Sequence, residues 1–263
     1  MGAFRGALTL GRVARKSWRW WAGAALLVAV TAGTVSVAQL AEAHVRTADS
    51  FATEDVSLEG NERLTREDVL GIAALQVGDN VFEVAPEVAT SRLLAHPWIA
   101  EASVRRELPS RFVISIREHR AVALLSLDGL YLVSEDGSVF KRVAPGEVAD
   151  LPVVTGVDRG RFTRDLNYRT GVLTEAVALL HDYRGAGLWR REPISEVHVE
   201  VDEGISLYVG EDGMRVRLGR SPYREKLVRL RRILIQLKSQ EARAEYVHLD
   251  NIRRPDRVTV RLR

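Results

Sequence analysis

An uncharged apolar segment near the N-terminus constrains the fold of this chain most strongly. Residues 20–41 read WWAGAALLVAVTAGTVSVAQLA and contain no Asp, Glu, Lys or Arg. Because a helix rises about 1.5 Å per residue, the segment predicts a single transmembrane helix that covers the ~30 Å hydrocarbon core of a bilayer. Basic residues and no acidic residue precede it, which predicts a cytoplasmic tail over residues 1–19 and export of everything after the helix.

A cleaved signal peptide is the alternative interpretation of this segment. Ala41-Glu42-Ala43 resembles a cleavage site, and the basic flank suits a signal peptide equally well. The apolar run exceeds the roughly 7–15 residues that are usual for signal peptides, which favours a retained anchor. Its content of Ala, Gly and Thr makes it weakly apolar, so both interpretations stay open here.

The composition indicates folded domains beyond the anchor. The apolar segment is followed by residues 42–263, which are 222 residues and enough for one or two domains. Apolar residues make up 46% of the chain, which suffices for buried cores. The absence of cysteine excludes disulfides, thiol catalysis and cysteine metal sites.

After a polar connector over residues 42–54, residues 55–119 predict the order strand, helix, helix, strand, strand. Val56 and Leu58 alternate with polar residues in the first strand, and the alternation of Phe112, Ile114 and Ile116 predicts the inward face of the last. Thr65 with Asp68 forms a helix-capping pattern, and Pro86 suits the first turn of a second helix.

The same residues carry a resemblance to a known family. The segments VSLEGNERLT, GDNVFEV and HPWIAEASVRRELPSRFVISIREHRAVA are similar to the polypeptide-transport-associated (POTRA) domain of the FtsQ/DivIB family of bacterial division proteins. Within the last segment, Trp98 and Ile99 are expected to anchor the second helix onto the sheet.

Residues 120–263 predict a mixed, β-rich domain with flanking helices. Asp128-Gly129 and Asp136-Gly137 are hairpin signals, and alternating strands follow a helix at residues 170–183. A long amphipathic helix is predicted at residues 222–242, before two last strands at residues 245–249 and 257–262. The passages LPVVTG, LGRSPYREKLVRLRRIL and YVHLD resemble corresponding passages of the FtsQ-type β-domain. The predicted fold class is therefore α+β: one transmembrane helix, a POTRA domain and this β-domain.

The resemblance implies a scaffold function rather than catalysis. It implies an inner-membrane protein of the division septum, with its bulk in the periplasm, that binds the single-pass proteins FtsB and FtsL. Through them it would act on the septal peptidoglycan synthases FtsW and FtsI. An exported cell-wall enzyme or a POTRA-containing outer-membrane assembly factor is the alternative, although a single POTRA domain and few aromatic residues argue against a barrel protein.

The resemblance also implies where a partner would bind. The arginine of the Leu-Gly-Arg turn and the last long strand would contact FtsB. The implied partner-binding residues are Arg220, Tyr246, His248, Asn251, Val258, Thr259, Val260, Arg261 and Leu262. Alternation predicts that Val258, Val260 and Leu262 face the core, whereas Thr259 and Arg261 face away from it. At Asp250 the family has arginine, and a charge swap with the partner is one explanation of that difference.

No pattern of residues predicts a catalytic, cofactor or metal site. The histidines form no H-E-x-x-H helix, and the chain has no phosphate-binding Gly-Lys-Ser/Thr loop. Ser138 and Lys141 match the S-x-x-K of penicillin-binding enzymes, but they follow a hairpin turn, and residues three apart on a strand face opposite sides. The match is interpreted as chance.

A basic stretch between Arg215 and Arg232 is the strongest charge feature of the chain. It contains eight basic residues and one acidic residue, Glu225. A solvated helix face and a surface for an acidic partner are both compatible with it. Export across a membrane argues against nucleic acid as the partner.

Overall fold

The structure is a computed structural model that describes residues 25–37, 39, 51–147, 150–200, 203–251, 254 and 257–263. Residues 25–37 are helical. None of the described helices combines the length and the apolar character that crossing a membrane requires. The expected tail, both ends of the predicted transmembrane segment and most of the connector lie outside the described residues.

The chain divides into two compact units. The first comprises the described residues up to His96 together with Glu101–Ile116, and the second comprises Pro97–Ala100 and the described residues from Arg117 to Arg263. The described strands form one three-stranded and one nine-stranded sheet, and helices accompany both, so the α+β class is as predicted.

The three-stranded sheet and its two helices have the predicted order. The elements are β1 (Asp55–Glu59), α1 (Arg66–Ala73), α2 (Pro86–Leu94), β2 (Ile99–Glu107) and β3 (Arg111–Glu118). The sheet order is β1-β3-β2, and β1 runs parallel to β3.

Local sequence signals explain these elements. The Thr65 hydroxyl accepts a hydrogen bond from the Asp68 N–H at 3.2 Å, and the Asp68 carboxylate accepts one from the Thr65 N–H at 3.0 Å, a capping box as predicted. The Thr65 hydroxyl also donates to the Asp68 carboxylate at 2.8 Å, and this bond together with the one from the Thr65 N–H holds the pKa of Asp68 below its ordinary value. In β3, Phe112, Ile114 and Ile116 are buried at alternate positions, which confirms the predicted inward face.

The expectation for Trp98 was wrong. Ile99 is buried, but Trp98 is only partly buried and belongs to the second unit. Its ring contacts that of Phe140 edge-on, with the ring centroids 5.1 Å apart. A tryptophan next to an apolar strand residue is typical of a core position, and its spacing in the sequence does not distinguish a buried tryptophan from a partly exposed one.

The second unit contains the remaining elements. These are β4 (Ala121–Ser126), β5 (Leu130–Ser134), β6 (Val139–Arg142), β7 (Val153–Thr155), α3 (Arg159–Arg164), α4 (Leu166–Gly185), β8 (Ile194–Glu200), β9 (Gly204–Val209), β10 (Met214–Gly219), α5 (Arg224–Ser239), β11 (Ala244–His248) and β12 (Thr259–Leu262). The sheet order is β12-β11-β10-β9-β8-β7-β4-β5-β6.

The three-residue strand β7 joins the two halves of this sheet. It pairs in parallel with β4 on one side and with β8 on the other. The β4-β5-β6 meander and the β8-β9-β10 meander therefore form one continuous sheet, which ends at β12.

One face of the sheet forms the core with α4 and α5. Valine and leucine pair across the strands in one apolar row, Val154, Val197, Leu207, Val216 and Val247. These residues share a buried cluster with Leu179 of α4 and with Leu227 and Leu230 of α5. Helix α4 begins four residues before its predicted start because the Asp165 carboxylate accepts a hydrogen bond from the Tyr168 N–H at 3.0 Å, an N-cap.

Candidate partner-binding edge

The last strand, β12, lies at one end of the nine-stranded sheet. It pairs antiparallel with β11, with Val260 opposite Val247, and no strand of the described residues pairs with its other side. An edge strand presents unpaired backbone N–H and C=O groups to any chain that approaches it.

Backbone hydrogen bonds on both sides of β11 show which groups of β12 are free. Arg263 donates its N–H to the Arg243 carbonyl at 2.9 Å, and Leu249 donates its N–H to the Arg217 carbonyl of β10 at 2.9 Å. Because N–H groups alternate in direction along a strand, Tyr246 pairs with Arg261 by backbone hydrogen bonds, and the Val260 N–H faces away from β11. The free edge therefore includes the Val260 backbone.

The side chains of this segment agree with the predicted faces except at Leu262. Val258 and Val260 are half-buried and pack against the core cluster, whereas Thr259 and Arg261 are exposed. Leu262 was expected to face the core, but 56% of it is exposed. It lies opposite Ala244, where a shift in register interrupts the regular pairing of β11 and β12, so regular packing ends at Val260.

Tyr246 and His248 form the outer face beside the edge. They lie opposite Arg261 and Thr259, and their rings contact edge-on with centroids 5.9 Å apart. The Arg215 guanidinium lies 5.9 Å from the centre of the Tyr246 ring. Aromatic and arginine side chains next to a free strand edge are the residue types that dominate binding at protein interfaces.

The Glu200 carboxylate of β8 binds side chains of the neighbouring strands β9 and β10 next to this face. Glu200 accepts hydrogen bonds from the Ser206 hydroxyl at 2.6 Å and from Arg215 at 2.8 Å. Burial alone would raise the pKa of Glu200, but the hydrogen bonds from Ser206 and Arg215 hold it below its ordinary value. Alternation in the sequence MRVRLG indicates the outward arginines of β10, which belong to the basic stretch but were not among the expected partner-binding residues.

The Leu-Gly-Arg turn is held by an internal cation. The Lys226 ammonium donates hydrogen bonds to the Leu218 carbonyl at 2.6 Å and to the Arg220 carbonyl at 2.7 Å, and it lies 3.4 Å from the Asp250 carboxylate. Asp250 therefore has a partner within the chain, and no charge swap with another protein is needed to explain it. Arg220 itself is exposed at this corner.

We expect Lys226→Met to lower the free energy of unfolding by ~2–3 kcal/mol. The substitution leaves the mostly buried Asp250 carboxylate and two carbonyls without their donor, and such groups are costly when unpaired. Urea unfolding is the measurement, and Lys238→Met, an exposed lysine of the same helix, is the matched control. Equal midpoints for the two variants would contradict the role of Lys226.

The expected site residues fall into two groups. Tyr246, His248 and the residues of β12 are neighbours through the strand pairing. Arg220 instead follows β10, at the turn where the Lys226 ammonium donates to its carbonyl and where Asp250 lies against Gly219. Asn251 is exposed, and its side chain accepts a hydrogen bond from the Arg254 N–H at 2.9 Å.

The Ser138 and Lys141 pair does not have the geometry of a nucleophile and base. The Ser138 hydroxyl donates to the Asp136 carboxylate at 2.7 Å, and the Lys141 ammonium is held by both oxygens of Glu147 at 2.7 and 2.6 Å. Hydroxyl groups of Ser134 and Ser138 lower the pKa of Asp136 to about 2. Among the described residues, no group of three or more His, Cys, Asp or Glu residues could hold a metal ion.

Comparison with known families agrees with the order of these domains. The family model described as "POTRA domain, FtsQ-type" matches residues 51–119. The model described as "Cell division protein FtsQ/DivIB, C-terminal" matches residues 123–250 and thus includes the Leu-Gly-Arg turn and β11. The chain belongs to the FtsQ/DivIB family of cell division proteins. The residues of β12 lie beyond the matched range.

Several FtsQ proteins are similar to most of this chain. The FtsQ of Anaeromyxobacter sp. (strain K) is 40% identical over 214 residues, which cover 81% of this chain and 72% of that protein. The FtsQ of Myxococcus fulvus is 36% identical over 216 residues, covering 82% and 75%, and that of Syntrophotalea carbinolica is 34% identical over 220 residues, covering 84% and 78%.

Proposed function

We propose that this FtsQ-family chain is a non-enzymatic, membrane-anchored scaffold of the division machinery that binds FtsB and FtsL. Through them it controls septal peptidoglycan synthesis by FtsW and FtsI. The observation that supports this proposal best is the free edge of β12, with the Val260 backbone facing outward. A strand of FtsB adds to this edge, and main-chain hydrogen bonds supply the affinity.

Arg220 is the proposed second contact, with a carboxylate of FtsB. Arginine suits this role because its planar guanidinium pairs with a carboxylate through two hydrogen bonds. The Lys226 ammonium donates a hydrogen bond to the carbonyl of Arg220, which holds its backbone, and the residue itself is exposed. A contact of this kind outside the strand would fix the register of the added strand.

We expect Arg220→Ala to weaken FtsB binding by about thirtyfold, or ~2 kcal/mol, because a desolvated carboxylate would lose its partner. The measurement is a titration of the full chain in a mild detergent with the exported part of FtsB, with circular dichroism as a check of folding. Arg190→Ala, at an exposed arginine between α4 and β8, is the control. Unchanged affinity in a folded Arg220→Ala variant would remove Arg220 from the site, whereas no binding of FtsB to the parent chain would overturn the proposed function.

We further propose that residues 20–41 are a retained anchor, residues 1–19 a cytoplasmic tail, and residues 55–119 and 120–263 the exported POTRA and β-domains. The helix at residues 25–37 exposes apolar side chains, among them Leu26, Leu27 and Val37. Its threonine hydroxyls donate to carbonyls of the same helix: Thr31 to Leu27 at 3.0 Å and Thr34 to Thr31 at 2.9 Å. A helix that satisfies its own hydroxyl groups suits a bilayer.

We expect a reporter that is active only outside the cytoplasm to be active when fused after Arg263. N-terminal sequencing of the mature protein should find the original N-terminus. A new N-terminus at Ala43 or His44 would show cleavage and would contradict the anchor, while an inactive reporter on a stable fusion would contradict export of the C-terminal domain.

A further inference from the structure

Helix α5 has a second face that its own domain does not use. Its inner face packs into the core of its own domain. There Leu227 and Leu230 are fully buried, and the core cluster also contacts Ile233, Leu234 and Leu237. The outer face carries Val228 and Ile235, which are 44% and 47% exposed. A single exposed apolar residue on a helix is common and needs no explanation. Val228 and Ile235, however, are seven residues apart, about two helical turns, so they lie on the same side of α5.

The outer residues follow the spacing of a helix-packing seam. Arg224, Val228, Arg231 and Ile235 are separated by four, three and four residues. At 3.6 residues per turn these positions fall within about 60° of one another, along roughly 16 Å of the helix. Alternating steps of three and four residues are the pattern with which one helix packs against another.

The charges of this seam select an acidic partner. Arg224, Arg231 and Arg232 are exposed and make no ion pair with any residue that the structure describes. The single acidic residue of the helix, Glu225, lies 3.5 Å from Arg229 and is engaged there. The face therefore combines two apolar side chains with three arginines whose guanidinium groups are available.

We propose that this face of α5 docks an acidic amphipathic helix of a partner protein. The partner segment has about three turns, an apolar stripe against Val228 and Ile235, and carboxylates that pair with Arg224 and Arg231. A lipid surface fits less well, because interfacial helices insert a broad apolar face, and the broad apolar face of α5 is buried in its own domain. The surface shares no residue with the β12 edge or with Arg220, and it does not depend on strand addition at that edge.

A designed peptide tests the surface directly. The probe is a labelled 21-residue helix of three heptads, with isoleucine and leucine at the core positions and glutamate at the flanking positions. Its binding to the full chain in phosphatidylcholine nanodiscs is measured by fluorescence anisotropy. We expect saturable binding that weakens at high salt, because exposed charge pairs are screened. A peptide of the same composition, shuffled so that its apolar residues share no face, should bind at least tenfold more weakly.

Matched variants identify the site. Arg224→Glu with Arg231→Glu should lower the affinity at least tenfold, and so should Val228→Ser with Ile235→Ser. Arg190→Glu with Arg191→Glu, the same change of charge at two other exposed arginines, should stay within twofold of the parent chain. Circular dichroism and the FtsB titration confirm that each variant is folded, and they separate a failure of this surface from a failure of the edge-strand proposal.

The proposal is overturned if the acidic peptide does not bind, if the shuffled peptide binds equally well, or if both pairs of charge reversals have the same effect. Lipid would be the occupant of this face instead if the peptide does not bind and if nanodiscs with phosphatidylglycerol slow hydrogen exchange of α5 in the parent chain. This protection should then be absent from the Arg224→Glu, Arg231→Glu variant.

Discussion

Val260→Pro is expected to lower FtsB affinity about 100-fold, or ~2.7 kcal/mol, while the domain stays folded. The Val260 N–H faces the free side of β12, so it is the donor that an added strand would use. Proline removes that donor and places its ring in the path of the partner backbone. Edge strands tolerate proline when the lost N–H faces solvent, so the pairing of β12 with β11 should persist.

Two companion variants separate the backbone effect from packing. Val260→Ala removes most of the half-buried side chain but keeps the N–H, and we expect it to bind FtsB nearly as well as the parent chain. Thr259→Pro removes an N–H that faces β11, and we expect it to destabilise the strand pairing itself. Equal loss of affinity in Val260→Ala and Val260→Pro would contradict addition of a strand at this edge.

Elements with strong local signals were predictable from the sequence. Alternation located the buried face of β3, the two Asp-Gly pairs located the hairpins β4-β5 and β5-β6, and helical spacing located α5. Each of these signals lies within about ten residues, so it does not depend on which distant segments meet. Boundaries shifted where a side chain capped a helix, as Asp165 does at α4.

Features that depend on distant contacts were not predictable. Strand β7 has three residues, too few for a periodic signal, yet its pairing with β4 and β8 unites the sheet. The pairing of Lys226 with Asp250 joins residues 24 positions apart. It explains, by a contact within the chain, why an aspartate can stand at position 250 where the family pattern has arginine. In the candidate site, the alternation of β12 held as far as Val260, and it failed at Leu262 because of a register shift in the partner strand β11.

Gly204, the first residue of β9, lies against the backbone of the Leu-Gly-Arg turn, so its substitution tests whether the fold and the position of Arg220 are coupled. Gly204 has φ +97°, and a Cβ placed on it would lie 2.1 Å from the Gly219 carbonyl carbon and 2.6 Å from the Arg220 nitrogen. These are backbone atoms, which a rotamer change cannot move aside. Gly213, directly before β10, has a similar left-handed conformation, φ +65°, but a Cβ there would meet open space.

We expect Gly204→Ala to lower the free energy of unfolding by about 3 kcal/mol or more, because the left-handed backbone and the overlap each cost about 1–3 kcal/mol. Gly213→Ala should cost only ~1–2 kcal/mol, the backbone cost alone. Urea unfolding of the two variants measures the difference.

Since the atoms displaced in Gly204→Ala carry Arg220, that variant should also bind FtsB more weakly under conditions where it is folded, whereas Gly213→Ala should not. Equal stability of the two variants would mean that the Gly204 and Gly219 backbones are not in close contact, and it would remove the structural link between this turn and Arg220.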